Sequence, residues 1–378
     1  MIPRSVYNQE HDMFRDAVRK FMQREVAPYH DEWEKQGHIS REAWKKAGDA
    51  GILCTHLPEE YGGSNVDFRY SAIAIEEQGY VFASGPGFSL HSDIVAPYIL
   101  HYGSEQQKQH WLPKMAAGDV ITAIAMTEPG AGSDLAGVRT TAIKDGDDYI
   151  INGSKTFITN GQLADLVIVV AKTDSSAGAK GVSLFLVEGD RAGFQRGQNL
   201  DKVGMKAQDT SELFFDNVRV PQTNLLGQEN AGFIYLMQEL PQERLSVAII
   251  AAAAARACYD ATLDYVKERK AFGKPIAALQ NTRFKLAEIL TELEVTQTYV
   301  DRCLELHCQG QLSVEAAASV KLWATEAQCR IIDECVQLHG GYGYMWEYPV
   351  ARAYADARVQ RIYAGTSEIM KEIISRSL

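Results

Sequence analysis

The sequence predicts an α+β chain: an N-terminal helical bundle over 1–120, a middle antiparallel β domain over 121–230, and a C-terminal helical bundle over 231–378. Three observations predict it. The apolar period is helical before about residue 120, changes to alternating and continuous β-type runs up to about residue 230, and becomes helical again to the end. Turn chemistry clusters at the two changes of period and between the β-type runs. The length of 378 residues exceeds what one hydrophobic core usually serves, so two or three domains are expected.

From His11 to about Gly118, Phe14, Val18, Phe21 and Met22 recur at helical spacing with charges between them. Turns at Glu60–Gly63 and Ser84–Gly87 punctuate this bundle. His91, His101 and His110 lie far apart in the chain and read as packing or surface residues. In the middle region, Lys144–Asp147 and Asn152–Gly153 carry hairpin chemistry and bracket Asp148–Ile151. Leu166–Ala171, Val182–Val187 and Leu213–Phe215 continue the strands to Val218–Pro221. After Gly227 the pattern is helical apart from breaks near Gly273, Gly310 and Gly340, and Ala251–Ala255 is a small, strongly helix-forming run that would allow close approach of another element.

Composition narrows the function. Lys plus Arg number 38 against 49 Asp plus Glu, a net charge of −11, which argues against nucleic acid or an anionic membrane as the main partner. The six Cys have neither CxxC pairing nor metal-ligand spacing, so no metal is expected and reduced thiols are. The longest fully apolar run, Val247–Ala255, is too short for a membrane span, and the first residues lack a signal or transit pattern. A cytoplasmic enzyme is the expectation.

The stretch Ala125-Met126-Thr127-Glu128-Pro129-Gly130-Ala131-Gly132-Ser133-Asp134 starts apolar and ends in a turn dense with donors, suited to gathering backbone N–H groups on an anion beside the Thr127 hydroxyl. Lys155–Gly161, Arg269–Lys274, Gln337–Gly341 and Ile362–Glu368 follow it. In this order the five motifs resemble the acyl-CoA dehydrogenases, and within that family the long-chain enzymes. The resemblance spans essentially the whole chain. It implies the three-part fold, FAD as cofactor, an acyl-CoA substrate, an electron-transferring flavoprotein as partner, and a homotetramer built as a dimer of dimers.

Residue by residue, the resemblance implies that Ile124, Ala125, Met126, Thr127, Gly132 and Ser133 line the flavin and its pyrophosphate, with Ser133 also toward substrate. Phe157, Ile158 and Thr159 close the other side, Thr159 near the flavin N5 and Phe157 where many relatives carry Trp. Arg269 would neutralise pyrophosphate and Phe272 pack on the ring system. Gln280 and Gln337, Leu338, His339, Gly340 and Gly341 would reach the FAD of a neighbouring subunit, while Thr366, Ser367 and Glu368 complete the cofactor set. A Pro-Gly pair such as Pro86-Gly87 is expected to bend the helix flooring the acyl pocket.

Desaturating a thioester needs a base at the α carbon, and a carboxylate in a dry pocket is suited to the work because desolvation raises its basicity. Most relatives place this Glu in the motif that here reads Tyr363-Ala364-Gly365, and Ala364 cannot remove a proton. Long-chain and isovaleryl-type relatives carry it on an earlier helix, which points to Glu243 within Leu240–Leu245. Pro241, Gln242, Arg244, Ala364 and Gly365 would then lie around the substrate, and Pro241 would kink the helix to turn Glu243 inward. The resemblance further implies that the backbone N–H at position 364, which Ala364 retains, donates to the thioester oxygen. An acyl-CoA oxidase, usually longer at its C-terminus, and a catalytically silent FAD or acyl-CoA scaffold are the rival readings.

Overall fold

The computed structural model describes residues 2–378. The N-terminal part contains α1 (Gln9–Phe21), α2 (His30–Gln36), α3 (Arg41–Asp49), α4 (Phe68–Tyr80), α5 (Ala96–Tyr102) and α6 (Glu105–Ala116). Side chains close the open N-termini of four of these helices, with Ser40 and Asp67 capping α3 and α4. Asn8 accepts from the Glu10 and His11 N–H groups, and Ser104 and Gln107 form a reciprocal capping box. A wider π-helical turn, Leu90–Val95, leads into α5.

Eight strands follow: β1 (Thr122–Ala125), β2 (Thr141–Asp145), β3 (Asp148–Thr159), β4 (Leu166–Lys172), β5 (Val182–Glu188), β6 (Phe194–Asn199), β7 (Thr210–Pro221) and β8 (Leu225–Leu226). They form one sheet in the order β6-β7-β3-β2-β4-β5-β8, with β1 also on β4. The sheet is mixed, which corrects the all-antiparallel expectation. β1 runs parallel to β4 over Thr122–Ala125, and β2 meets β4 in parallel at Thr141 and Lys172, whereas the remaining pairings are antiparallel. The physical reason is connectivity: β1 is separated from β4 by the long excursion through β2 and β3, so nothing obliges it to return as a hairpin.

Strand β4 shows why its sequence is continuously apolar. Leu166, Ile168 and Val170 pack into the core shared with the N-terminal helices, while Val167, Val169 and Ala171 fill a second core on the opposite face. Alternate side chains thus serve two layers, and neither face meets water.

The C-terminal part holds α7 (Gly232–Glu268), a short hairpin of β9 (Lys270–Ala271) and β10 (Lys274–Pro275), α8 (Gln280–Cys308), α9 (Val314–His339), α10 (Pro349–Ala357) and α11 (Ser367–Ser375). Helix α7 is long and apolar enough to cross a membrane by composition alone, yet 72% of its most apolar window is buried within this fold. It is a core helix. The small residues at Ala251–Ala255 let α4 approach: a Cβ at Gly79 would stand 3.0 Å from the Ala253 Cβ. Helix α7 therefore sits between the two helical parts and carries the candidate base.

Candidate active site

Two helices facing each other build the centre of the site. On α7, Glu239 and Glu243 are one turn apart, so both project to the same side. On α5, Tyr98 and Tyr102 have the same spacing. The result is a two-rung ladder: the Tyr98 hydroxyl donates to Glu243 Oε1 at 3.0 Å, and the Tyr102 hydroxyl donates to Glu239 Oε1 at 2.8 Å. Tyr102 is fixed by stacking on Tyr235 at 3.9 Å.

Glu243 is 4% exposed, and burial pushes its carboxyl up to about 7. The Tyr98 bond and the nearby Arg244 oppose this, while the charge of Glu239 reinforces it. Burial and Glu243 in turn hold the Tyr98 phenol well above its ordinary value, so it remains a donor. The helix continues through Pro241 without a break, and Glu243 faces inward.

The neighbours expected around the substrate divide into two kinds. Gln242 is committed inward, donating to the Asp93 carbonyl at 2.6 Å and meeting His307 Nε2 at 2.9 Å through its own carbonyl oxygen. Its role is to lock α7 to the π-helical turn and to α8. Arg244, 5% exposed, directs its Nε toward the Ala364 carbonyl at 3.4 Å, and the buried Lys321 donates to the Gly365 carbonyl at 2.7 Å. Ala364 sits at φ 52°, the left-handed region. Its N–H has no acceptor among the described residues. The loop of Ala364 and Gly365 is thus held by two cations through its carbonyls, beside the helix that carries Glu243.

Pro86 and Gly87 lie in the connection after α4, not within a helix, which corrects the expected bend. A Cβ at Gly87 would come 2.2 Å from Asn160 Oδ1, so the glycine is required where this connection meets the sheet. The irregularity before α5 is the π-helical turn instead, where Asp93 is buried with one carboxylate oxygen unpartnered and burial raises it to about 6.

The Gly-rich turn lies at the end of β1. Ile124 and Ala125 are buried in the strand; Met126 and Thr127 are half-buried, and Gly132 and Ser133 are exposed. Glu128 and Ala131 exchange backbone bonds across the turn. The N–H groups of Gly132 and Ser133 have no acceptor among the described residues, and a Cβ at Gly130 or Gly132 would meet open space. The adjacent strand β3 is joined to the turn by Thr156 N–H donating to the Thr127 carbonyl at 2.9 Å. There Phe157 stands out, 67% exposed at φ 60°, with Ile158 buried beneath it and Thr159 half-buried.

A buried ion pair supports this turn. Lys155, fully buried, donates to Glu128 Oε1 at 2.8 Å and to the Met126 carbonyl at 3.0 Å. Glu128 also accepts from the N–H groups of Arg139 at 2.6 Å and Thr140 at 2.9 Å. Both residues fall within the sequence motifs, but their pairing is not legible there.

A separate patch in the C-terminal part carries the remaining cofactor motifs, among them those expected to reach the FAD of a neighbouring subunit. Arg269 is exposed with its guanidinium over the Tyr342 ring at 5.4 Å, and Phe272 is 93% exposed at φ 51°. Tyr265 stacks on His339 at 4.2 Å and donates to its carbonyl at 3.2 Å. Gln280, Gln337, Gly340 and Gly341 are exposed, and Leu338 is half-buried. Thr366 caps α11, Ser367 is tied to Glu326 at 2.7 Å, and Glu368 is exposed. Among the described residues, no hydrogen bond joins this patch to the Gly-rich turn.

The residues missed by sequence reasoning are Tyr98, Glu239, His101, Asp93 and Lys321. His101, expected as a packing or surface residue, is exposed yet bonded to Glu239 at 2.8 Å. His91 is buried packing, between the Met115 carbonyl and Thr122.

Sequence profiles of the acyl-CoA dehydrogenase N-terminal, middle and C-terminal domains match residues 8–119, 123–218 and 230–378. The long-chain specific acyl-CoA dehydrogenase of Sus scrofa is 58% identical over 377 residues, covering 99% of this chain and 88% of that protein. The crystal structure of an acyl-CoA dehydrogenase from Geobacillus kaustophilus is similar with a TM-score of 0.97 at 53% identity, covering 99% of both chains. A glutaryl-CoA dehydrogenase from Mycobacterium smegmatis, solved in complex with FADH2, is similar at TM-score 0.91 and 32% identity, over 98% of this chain and 95% of that one. The chain belongs to the acyl-CoA dehydrogenase family.

Proposed function

We propose that this enzyme desaturates a long-chain or branched acyl-CoA to the trans-2-enoyl-CoA, with Glu243 removing the α proton and an electron-transferring flavoprotein receiving the electrons. The observation that carries the reading is the carboxyl of Glu243: buried, bonded to Tyr98, and pushed up to about 7. A carboxylate whose proton affinity lies near neutrality can both accept a proton during turnover and release it afterwards. The long-chain relative from Sus scrofa supports the substrate class.

The residues present fit FAD. The unpaired N–H groups of Gly132 and Ser133 and the open space at Gly130 and Gly132 suit an anionic pyrophosphate, and the exposed Phe157 offers an apolar face for a ring system. When bound, FAD supplies the acceptor for the β hydride. Met126, Thr127 and Thr159 would hold it within one chain. Arg269, Phe272, Gln280 and Gln337–Gly341 would hold that of a second copy, which makes the active form at least a dimer and, by the family pattern, a tetramer.

The protein's own groups divide the remaining work. Tyr98 holds one oxygen of Glu243 and leaves the other for substrate. The unpaired Ala364 N–H stands ready to donate to the thioester oxygen, which lowers the cost of removing the α proton. Arg244 and Lys321 hold the loop that presents it.

The test is anaerobic reduction of the FAD-loaded protein by a panel of acyl-CoAs of increasing length and branching. Bleaching of the flavin by long or branched chains, with enoyl-CoA as product, is the expected result. Rapid turnover with dioxygen as sole acceptor would make the protein an oxidase. Bound FAD with no product from any acyl-CoA would make it a silent scaffold.

A further inference from the structure

The second rung of the Tyr–Glu ladder has no part in the reaction as proposed, yet it is built as carefully as the first. Glu239 is 7% exposed, accepts from the Tyr102 hydroxyl and pairs with His101, each at 2.8 Å. His101 is the most exposed member of this group, with half of its side chain in solvent, and Tyr102 is half-buried.

We infer that Glu239 is a positioning residue for proton removal: its negative charge, fixed one helical turn from Glu243, makes Glu243 a stronger base than its own surroundings would, and His101 is its link to solvent. The inference rests on the reading of Glu243 as the base.

Among the groups around Glu239, His101 is the one placed to oppose its charge, and it does so only when protonated. From α5 it bonds His101 and Tyr102 and its charge acts on Tyr98; its charge also acts on His56 in the segment before α4, on His307 of α8, and on Glu243 of its own helix. Burial pushes His56 and His307 down to about 4, so both are neutral near pH 7. Both ring nitrogens of His56 lack a partner among the described residues, which is tolerable only for an uncharged ring. Arg244 is the cation acting on Glu243, and its Nε is turned to the Ala364 carbonyl. With His101 neutral, like charges one turn apart in this buried site act on each other with little screening.

The test follows the protonation of Glu243 in the FAD-loaded protein by infrared difference titration, using the carboxylic-acid carbonyl band that is lost in Glu243→Gln. Glu239→Gln keeps the acceptor for Tyr102 and removes the charge, and should lower the Glu243 titration by about one pH unit. Glu239→Asp restores the charge and should return the titration toward the original value, which a merely structural role would not predict. Should Glu239→Gln fail to fold, His101→Lys, at an exposed position, fixes a cation beside Glu239 and should move the titration in the same direction by less. An unmoved titration in the folded Gln variant, an equal displacement with Asp and Gln, or in the fallback an unmoved titration in His101→Lys, overturns the inference. A titration that moves while the pH profile of flavin reduction stays fixed upholds the coupling and removes Glu243 from the base role.

Discussion

Glu243 and Glu128 are the same side chain, only 4% and 7% exposed, and they are driven in opposite directions. Glu243 accepts from one phenol and faces another carboxylate, so burial dominates and its proton is held up to about 7. At Glu128 burial also pushes upward. There Lys155 and the N–H groups of Arg139 and Thr140 outweigh it and hold the carboxyl below the ordinary range. The difference lies in how many donors the fold aims at each carboxylate. A fully satisfied one becomes a clamp; an under-satisfied one is left with a proton to trade.

The largest test of that contrast is Glu243→Gln. It should reduce acyl-CoA-driven flavin reduction at least about 10³-fold while FAD content and ligand affinity persist, measured by anaerobic stopped-flow and equilibrium titration. The corresponding Glu128→Gln should act on the fold. It strands Lys155 in the interior and should cost about 3–5 kcal/mol in denaturant unfolding, with weaker FAD retention. If Glu128→Gln instead left stability intact and selectively abolished chemistry, the two carboxylates would have been assigned the wrong way round.

A third test uses pH. The folded carboxyl of Glu243 stands above its ordinary value of 4.5, so its bound proton stabilises the fold fully below about 4.5 and ceases to do so as pH rises through about 7. The Gln variant has no such proton to lose. It should gain on the parent by up to about 3 kcal/mol between pH 4.5 and 8, seen as a widening difference in melting temperature. The smallest effect belongs to Tyr98→Phe, which removes the phenol's bond to Glu243. The acid limb of the pH–rate profile, along which activity rises as Glu243 deprotonates, should shift upward by about one pH unit.

The sequence carried the fold class because period and turn chemistry are local. It pointed to Glu243 through the family resemblance, which finds no carboxylate at Ala364 and another within Leu240–Leu245, and in the structure that side chain is buried beside Tyr98. It did not carry the parallel placement of β1 on β4, since a strand's pattern records which faces are buried but not the direction of its neighbour. The i, i+4 spacings of Tyr98 with Tyr102 and of Glu239 with Glu243 are visible in the chain, yet 145 residues separate Tyr98 from its partner, and only the fold brings the rungs together. Pro86-Gly87 misled for a related reason: the glycine answers to Asn160, far along the chain, rather than to a local bend.

Helix α7 runs unbroken from Gly232 to Glu268 and holds Glu243 near one end, with Arg269 following immediately after the other. At about 1.5 Å and about 100° per residue, it works as a ruler about 40 Å long between the Glu243 carboxyl and the Arg269 guanidinium that lies over Tyr342. Adding a single alanine within Ala251–Ala255 would touch neither group, yet it would turn one a quarter-circle away from the other. The residue count of this rod is therefore as much a part of the machinery as the side chains it carries.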